Sequence, residues 1–157
     1  MSRGPDCCVG YTDPDLTAAA FDEAGWYRTG DVGALDADGY LTITDRVSDI
    51  IIRGGENISA QEIEELMLGL DAVAEVGVVA APDERLGEHA AAFMRLQDGA
   101  AAPTLDEVRA HLAGAGLAKQ KWPESIYVAA DLPRTPSGKV QKFRLRQQLR
   151  DGQAPGA

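Results

Sequence analysis

The sequence predicts an α+β fold, and three observations carry that prediction. Apolar runs of strand length alternate with segments of helical spacing, two helix starts carry hydroxyl caps, and glycine-rich turns separate the pieces. The opening stretch, "RGPDCCVGYTDPDLTAAAFDEAGWYRTGD", sets turn formers around short apolar pieces and one short helix, Asp15 to Phe21, that starts from an Asp-Pro pair. It is too little to close a core by itself. In "GALDADGYLTITDR" an Asp-Gly pair between strand-like runs predicts a β-hairpin. "VSDIIIRGGENIS" then reads as a strand, a Gly-Gly loop and a short return.

From Ser59 the period changes. "SAQEIEELMLGL" places Ser59 at a cap, Glu62 three residues on, and Ile63, Leu66, Met67 and Leu70 at helical spacing, so a capping box is expected. "VAEVGVVAAP" and "EHAAAFMRL" read as buried strands. "TLDEVRAHLAGAG" reads as a second capped helix, with Leu105, Val108 and Leu112 on one face and Gly114 and Gly116 ending it. "SIYVAADLP" is a third strand and "KFRLRQQLR" a final basic helix. From about Arg46 onward this makes a small domain with about three main strands flanked by helices. The tail "DGQAPGA" is expected to be disordered, and no internal repeat is present.

Composition removes several function classes. The chain has 157 residues, 45% hydrophobic and 25% charged, which suits a globular domain rather than a disordered tail. A net charge of -10 disfavours general attraction to nucleic acid or anionic membrane. A small RNA-binding domain using the Gly-Gly loop and the basic helix is disfavoured on the same ground. The charge is uneven, however: Arg134, Lys139, Lys142, Arg144, Arg146 and Arg150 follow one another with no acidic residue before Asp151. The adjacent Cys7 and Cys8 suit neither an unstrained mutual disulfide nor a tetrahedral metal set, and are expected as reduced strand residues. No metal site is expected. No apolar run approaches the ~20 residues that span a bilayer, and the first residues lack a signal-peptide core, so the expectation is a soluble cytoplasmic protein.

Three stretches carry residues that chemistry could use. In "YRTGD", Asp31 follows a Thr-Gly turn; its carboxylate can accept from two ribose hydroxyls or simply bond its own turn. In "IIRGGENIS", Gly54 and Gly55 allow positive φ and close approach of another molecule, or form a plain hairpin loop. In "PRTPSGKVQK", Pro133 and Pro136 stiffen a loop that holds out Lys139, a point charge suited to phosphate or carboxylate oxygens. As a single surface lysine it would merely be solvated. It is not a Walker loop, because Pro133 stands where that motif has glycine and Val140 where it has Ser or Thr. His89 and His111 read as packing or surface residues, Met67 and Met94 as core, and Glu62, Glu64 and Glu65 as the polar side of a helix.

Taken in order, "GWYRTGD", "DRVSDIIIRGGENISAQEIEE" and "LPRTPSGKVQK" resemble the C-terminal part of the adenylate-forming enzymes: acyl-CoA synthetases, luciferases and peptide-synthetase adenylation domains. "GGENIS" and "RGPDCCVGYTDP" are most similar to the fatty-acid and carboxylic-acid CoA ligase branch. The resemblance implies ATP and magnesium, bound mainly by the missing N-terminal domain, together with CoA, and a small carboxylic acid as substrate. It implies a β-rich end of a large N-terminal domain at about 1–45, a mobile C-terminal domain at 46–150 and a disordered tail at 151–157. Asp31 would hold the ribose hydroxyls, assisted by Arg46; Lys139 would bridge the acid carboxylate and the α-phosphate; Gly54 and Gly55 would line the pantetheine tunnel. Ser48 stands at the hinge position, where relatives commonly carry Asp or Lys. The phosphate loop and acid pocket of the family are not found in these residues, so the expectation is a C-terminal fragment, inactive alone, whose partner is an N-terminal adenylation domain in cis or trans. The alternative is a stand-alone, non-catalytic binding or trans-complementing module.

Overall fold

The computed structural model describes residues 1–155. They divide into two compact units, with the division between Ser48 and Asp49.

In the first unit, helix α1 (Pro14–Ala20) starts at the Asp-Pro pair, where the Asp13 carboxylate accepts from the backbone N–H groups of Asp15 and Leu16. Strands β1 (Asp31–Leu35) and β2 (Leu41–Arg46) form the expected antiparallel hairpin. Its turn closes on Asp36, whose Oδ1 accepts from Asp38 and Tyr40. Cys7 and Cys8 are free thiols, but they are not in a strand. A turn in which Cys7 N–H donates to Gly4 O at 3.1 Å takes the backbone there instead.

The second unit begins with a hairpin of β3 (Ile50–Arg53) and β4 (Glu56–Ser59). Helix α2 (Ala60–Met67) follows, then the long antiparallel pair β5 (Val73–Asp83) and β6 (Gly87–Leu96). Helix α3 (Leu105–Gly114), strand β7 (Ser125–Val128) and helix α4 (Lys142–Arg150) complete it. The three expected main strands are β5, β6 and β7, with β7 parallel to β6. The β3–β4 hairpin joins them through a single register pair, Arg53 with Gly87, so the sheet counts five strands.

Strand alternation divides the core into two layers. Val78, Ala90, Ala92 and Met94 face α2 and α3, packing with Ile51, Ile63, Met67, Val108 and Leu112. Val79, Ala91 and Phe93 face the other way, against Leu132, which precedes the Lys139 loop, and Leu145 of α4. Phe93 stacks on Tyr127 with ring centroids 4.8 Å apart. Gly77 lacks a side chain because a Cβ there would meet Leu145 Cδ1 at 3.0 Å, which lets α4 lie close on the sheet.

The two caps differ. Thr104 and Glu107 make a reciprocal capping box at α3, whereas at α2 the Ser59 hydroxyl accepts from Glu62 N–H but the Glu62 carboxylate turns away to Lys121 at 2.7 Å. The expected box at Ser59 is therefore half made, because an ammonium outcompetes a backbone N–H for that carboxylate. The expected disordered tail, 151–157, extends past the described residues. Within them Gln153 N–H donates to Gln148 O at 2.8 Å, and Ala154 packs beside the Phe93 layer. Among the described residues no helix is long and apolar enough to cross a membrane.

Candidate functional site

In the first unit the hairpin register sets Asp31 opposite Arg46. Thr29 Oγ1 accepts the Asp31 N–H at 3.1 Å, Gly30 turns through φ +73°, and Val47 N–H closes the turn onto Gly30 O at 2.8 Å. The turn's backbone is thus satisfied by threonine, and the Asp31 carboxylate is left for another partner. Its Oδ1 takes the Arg46 Nε at 3.1 Å. Asp31 is the more sheltered of the two, 27% accessible against 64% for Arg46. A guanidinium on one carboxylate oxygen leaves the lone pairs of the other for neighbouring hydroxyls.

Gly54 and Gly55 form the β3–β4 turn, at φ +57° and +90°. The loop is fastened from behind by the β5–β6 turn, the start of β6 and Glu124, just before β7. Gly54 N–H donates to Leu86 O at 2.8 Å, Ile52 N–H to Glu88 Oε2 at 2.7 Å, and the Arg53 guanidinium to Glu124 Oε1 at 2.6 and 3.0 Å. The β5–β6 turn is itself tied by Asp83, whose Oδ1 accepts from Arg85 and Leu86. Those two N–H bonds hold the Asp83 carboxyl below its ordinary pKa.

Lys139 stands on a tight loop bracketed by the bridge between Arg134 and Val140. Thr135 organises it: its N–H donates to Lys139 O at 2.8 Å, its hydroxyl accepts Lys139 N–H at 3.1 Å, and its hydroxyl meets Ser137 at 2.9 Å. Gly138 supplies the positive φ, +87°. Arg134 donates to Gly138 O at 2.7 Å and also pairs with Glu75 of β5, which in turn holds Arg95 of β6 at 2.7 Å. The loop is thus braced on the sheet while the Lys139 side chain stays exposed and, among the described residues, forms no ion pair.

A second charged cluster lies beside it. Asp49 meets Lys142 at 3.7 Å and Arg146 at 3.2 Å, and Lys142 reaches Glu64 at 2.8 Å. Glu64 also accepts the Val78 N–H of edge strand β5 at 2.6 Å. Burial pushes the Glu64 carboxyl above its ordinary pKa, with Lys142 opposing. The reading of Glu64 as the outer polar side of α2 is therefore corrected: it faces inward to serve the open edge of β5, while Glu62 and Glu65 stay on the outer side. Half of the basic stretch at the C-terminal end, Arg134, Lys142 and Arg146, is likewise spent internally, on Glu75, Asp49 and Glu64.

The structure brings Asp31 and Arg46 together and holds the other two loops apart. Glu75, bracing the Lys139 loop, and Asp83, tying the turn behind Gly54, are eight positions apart in β5. At about 3.3 Å per residue that is on the order of 25 Å. Glu75, Glu124 and Asp49 were not singled out from sequence, and Glu64 and Lys142 were read only as part of a polar helix side and of a basic run; the one available signal was a lone glutamate in the apolar run "VAEVGVVAAP". His111 contacts Leu66 O at 2.8 Å, and Met67 and Met94 are fully buried, as packing residues.

Residues 62–139 match the family described as the AMP-binding enzyme C-terminal domain. A medium-chain fatty-acid–CoA ligase of Escherichia coli is 48% identical over 149 residues, which is 94% of this chain and 26% of the ligase. A long-chain-fatty-acid–CoA ligase of Mycobacterium tuberculosis is 42% identical, over 86% of this chain and 26% of that one. The ATP-bound structure of MatB from Rhodopseudomonas palustris superposes with a TM-score of 0.83 at 35% identity, covering 96% of this chain and 30% of MatB. The chain thus spans about a quarter of the length of the curated relatives it matches.

Proposed function

This chain carries, over residues 62–139, the AMP-binding enzyme C-terminal domain of the adenylate-forming enzymes, and from that premise we propose that it is the C-terminal part of a fatty-acid–CoA ligase and includes that enzyme's moving domain. In this reading the enzyme activates a carboxylic acid with ATP to an acyl-adenylate, releases pyrophosphate, and passes the acyl group to the thiol of CoA. Residues 1–45 end a larger adenylation domain, 46–150 form the mobile domain, and Ser48 is the hinge.

One observation carries the reading. The Lys139 loop and the Gly54–Gly55 loop are braced at opposite ends of one long antiparallel ribbon, β5–β6. A rigid-body turn about Ser48 can therefore withdraw one loop from a reacting centre as it delivers the other. Lys139 brings an unpaired cation to the acid carboxylate and α-phosphate, where negative charge must be offset during adenylation. Gly54 and Gly55 present bare backbone past which a pantetheine arm can thread. Asp31 accepts from the ribose hydroxyls, with Arg46 fixing its carboxylate. Among the described residues there is no cluster of three or more His, Cys, Asp or Glu side chains, and in this reading ATP and magnesium are bound mainly by the N-terminal adenylation domain.

The test is a chimera in which this chain replaces the matching segment of the E. coli ligase. ATP–pyrophosphate exchange with a panel of carboxylic acids should appear in the chimera and be lost in Lys139→Ala, while preformed acyl-adenylate still reaches CoA. Exchange that survives Lys139→Ala would overturn the reading. So would robust acid-dependent pyrophosphate release by the 157-residue chain alone.

A further inference from the structure

We infer that Lys142 is a positioning residue: with Asp49 and Glu64 it forms an ion-paired strut that couples the chain just after Ser48 to the loop bearing Lys139. The inference rests on the hinge and lysine roles proposed above. Its starting point is an asymmetry of connection. From Asp49, the first residue of the second unit, the Gly54–Gly55 loop is reached along a single covalent strand, β3. Lys139 lies ninety positions further on. Over so long a chain path a hinge motion reaches Lys139 through non-covalent contacts, and the strut is a direct route.

The geometry suits that task. Lys142 is the first residue of α4, three positions after Lys139, and its ammonium touches both Asp49 (3.7 Å) and Glu64 (2.8 Å). Arg146, one turn further along α4, grips Asp49 at 3.2 Å, so the helix is held at two levels. Glu64 carries the connection into the sheet through the Val78 N–H. Just before α4, Gln141 N–H donates to Pro133 O at 2.7 Å, which closes the neck of the Lys139 loop. All four charged side chains are only 16–21% accessible. Ion pairs this sheltered add little net stability compared with apolar residues of the same volume. What they fix is direction, since each removed partner leaves a sheltered charge that must find another orientation.

Two measurements test the strut. In the chimera, Lys142→Met should lower adenylation about tenfold with the KM for ATP within about twofold, as for a displaced but intact catalytic group. Transfer from preformed acyl-adenylate to CoA should stay within about twofold, and Lys142→Arg should restore most of the loss. Adenylation unchanged in Lys142→Met, or both half-reactions falling together, would overturn the strut. Should Lys142→Met fail to fold, the nearly isosteric Asp49→Asn takes its place with the same expected split. The second measurement needs no catalysis: in the 157-residue chain, amide NMR signals of Lys139 and Val140 should shift with Lys142→Met while those of Gly54 and Gly55 hold. Unmoved Lys139 and Val140 signals would overturn the strut even if the catalytic reading stands. If instead exchange survives Lys139→Ala while these signals shift, the strut is real and the catalytic reading fails.

Discussion

The Lys139 loop and the Gly54–Gly55 loop are both short turns braced on the β5–β6 ribbon, yet different physics holds each. At Lys139 the turn is shaped by side chains: Thr135 and Ser137 bond within it, and Arg134 ties it to Glu75. At Gly54 the turn is shaped by backbone freedom, and its fastening comes from the carbonyl of Leu86 and the carboxylates of Glu88 and Glu124 behind it. A loop that must present one charge can spend its polar groups on itself, provided that charge stays unpaired. Under the role proposed for it, a loop past which another molecule threads has to keep its front bare and be anchored from the rear.

The largest expected effects separate the loops by half-reaction. Lys139→Ala in the chimera should cut pyrophosphate exchange by about 100-fold or more, the usual scale for removing a charge that stabilises a transition state. Gly55→Ala should do the converse. No atom lies within 4 Å of a Cβ built at Gly55, so the substitution acts through the strain of φ +90° and the methyl placed in the passing molecule's way. With strain of about 1–3 kcal/mol, thioester formation should fall about tenfold while exchange is preserved. Equal damage by Gly55→Ala to both half-reactions would erase the division of labour between the loops.

Smaller effects should follow from the braces. Glu75→Gln weakens the hold on Arg134 and Arg95, both about a third accessible, so each pair is worth at most ~1 kcal/mol. Exchange should fall by up to about fivefold and CoA transfer should not change. Glu124→Gln, which loosens Arg53, should show the reverse pattern with a similar size. Stopped-flow half-reactions on the two variants would sharpen the comparison; a common effect on both steps would mean that the ribbon deforms as a whole.

The elements were legible because their signals are local. Asp-Pro at α1, Asp-Gly in the first hairpin, the Thr104 cap and the Gly116 ending each specify backbone within a few residues, and the structure has all four. The family was legible because three short motifs keep their order. The braces were not, since Arg134 meets Glu75, Arg53 meets Glu124 and Lys142 meets Asp49 across long stretches of chain. A charge on a helix or loop reads as solvated until its cross-sheet partner is known. Glu64 shows the limit: its spacing beside Glu62 and Glu65 suggests an outer face, and only the open edge of β5 explains why it turns in.

The smallest expected effect is in pH, and there the two ends of the ribbon should differ in sign. Asp83, behind the glycine loop, is held below its ordinary pKa by the N–H groups of Leu86 and Arg85. Its contribution to stability is complete above the ordinary aspartate value and is lost as pH falls through the lowered one. Glu64, in the strut beside the lysine loop, is pushed above its ordinary pKa by burial. The folded chain binds that proton more tightly than the unfolded chain, so the Glu64 contribution is complete below the ordinary glutamate value and declines as pH rises to the raised one. Urea unfolding between about pH 3 and pH 7 should therefore lose part of its acid limb in Asp83→Asn, and part of its decline above the ordinary glutamate range in Glu64→Gln. Amide exchange at Leu86 and Gly54 should quicken in Asp83→Asn while exchange at Lys139 holds, because the Asp83 turn fastens only one end of the ribbon. If Lys139 exchange quickens as well, the ends are coupled through β5, and the two loops are one device rather than two.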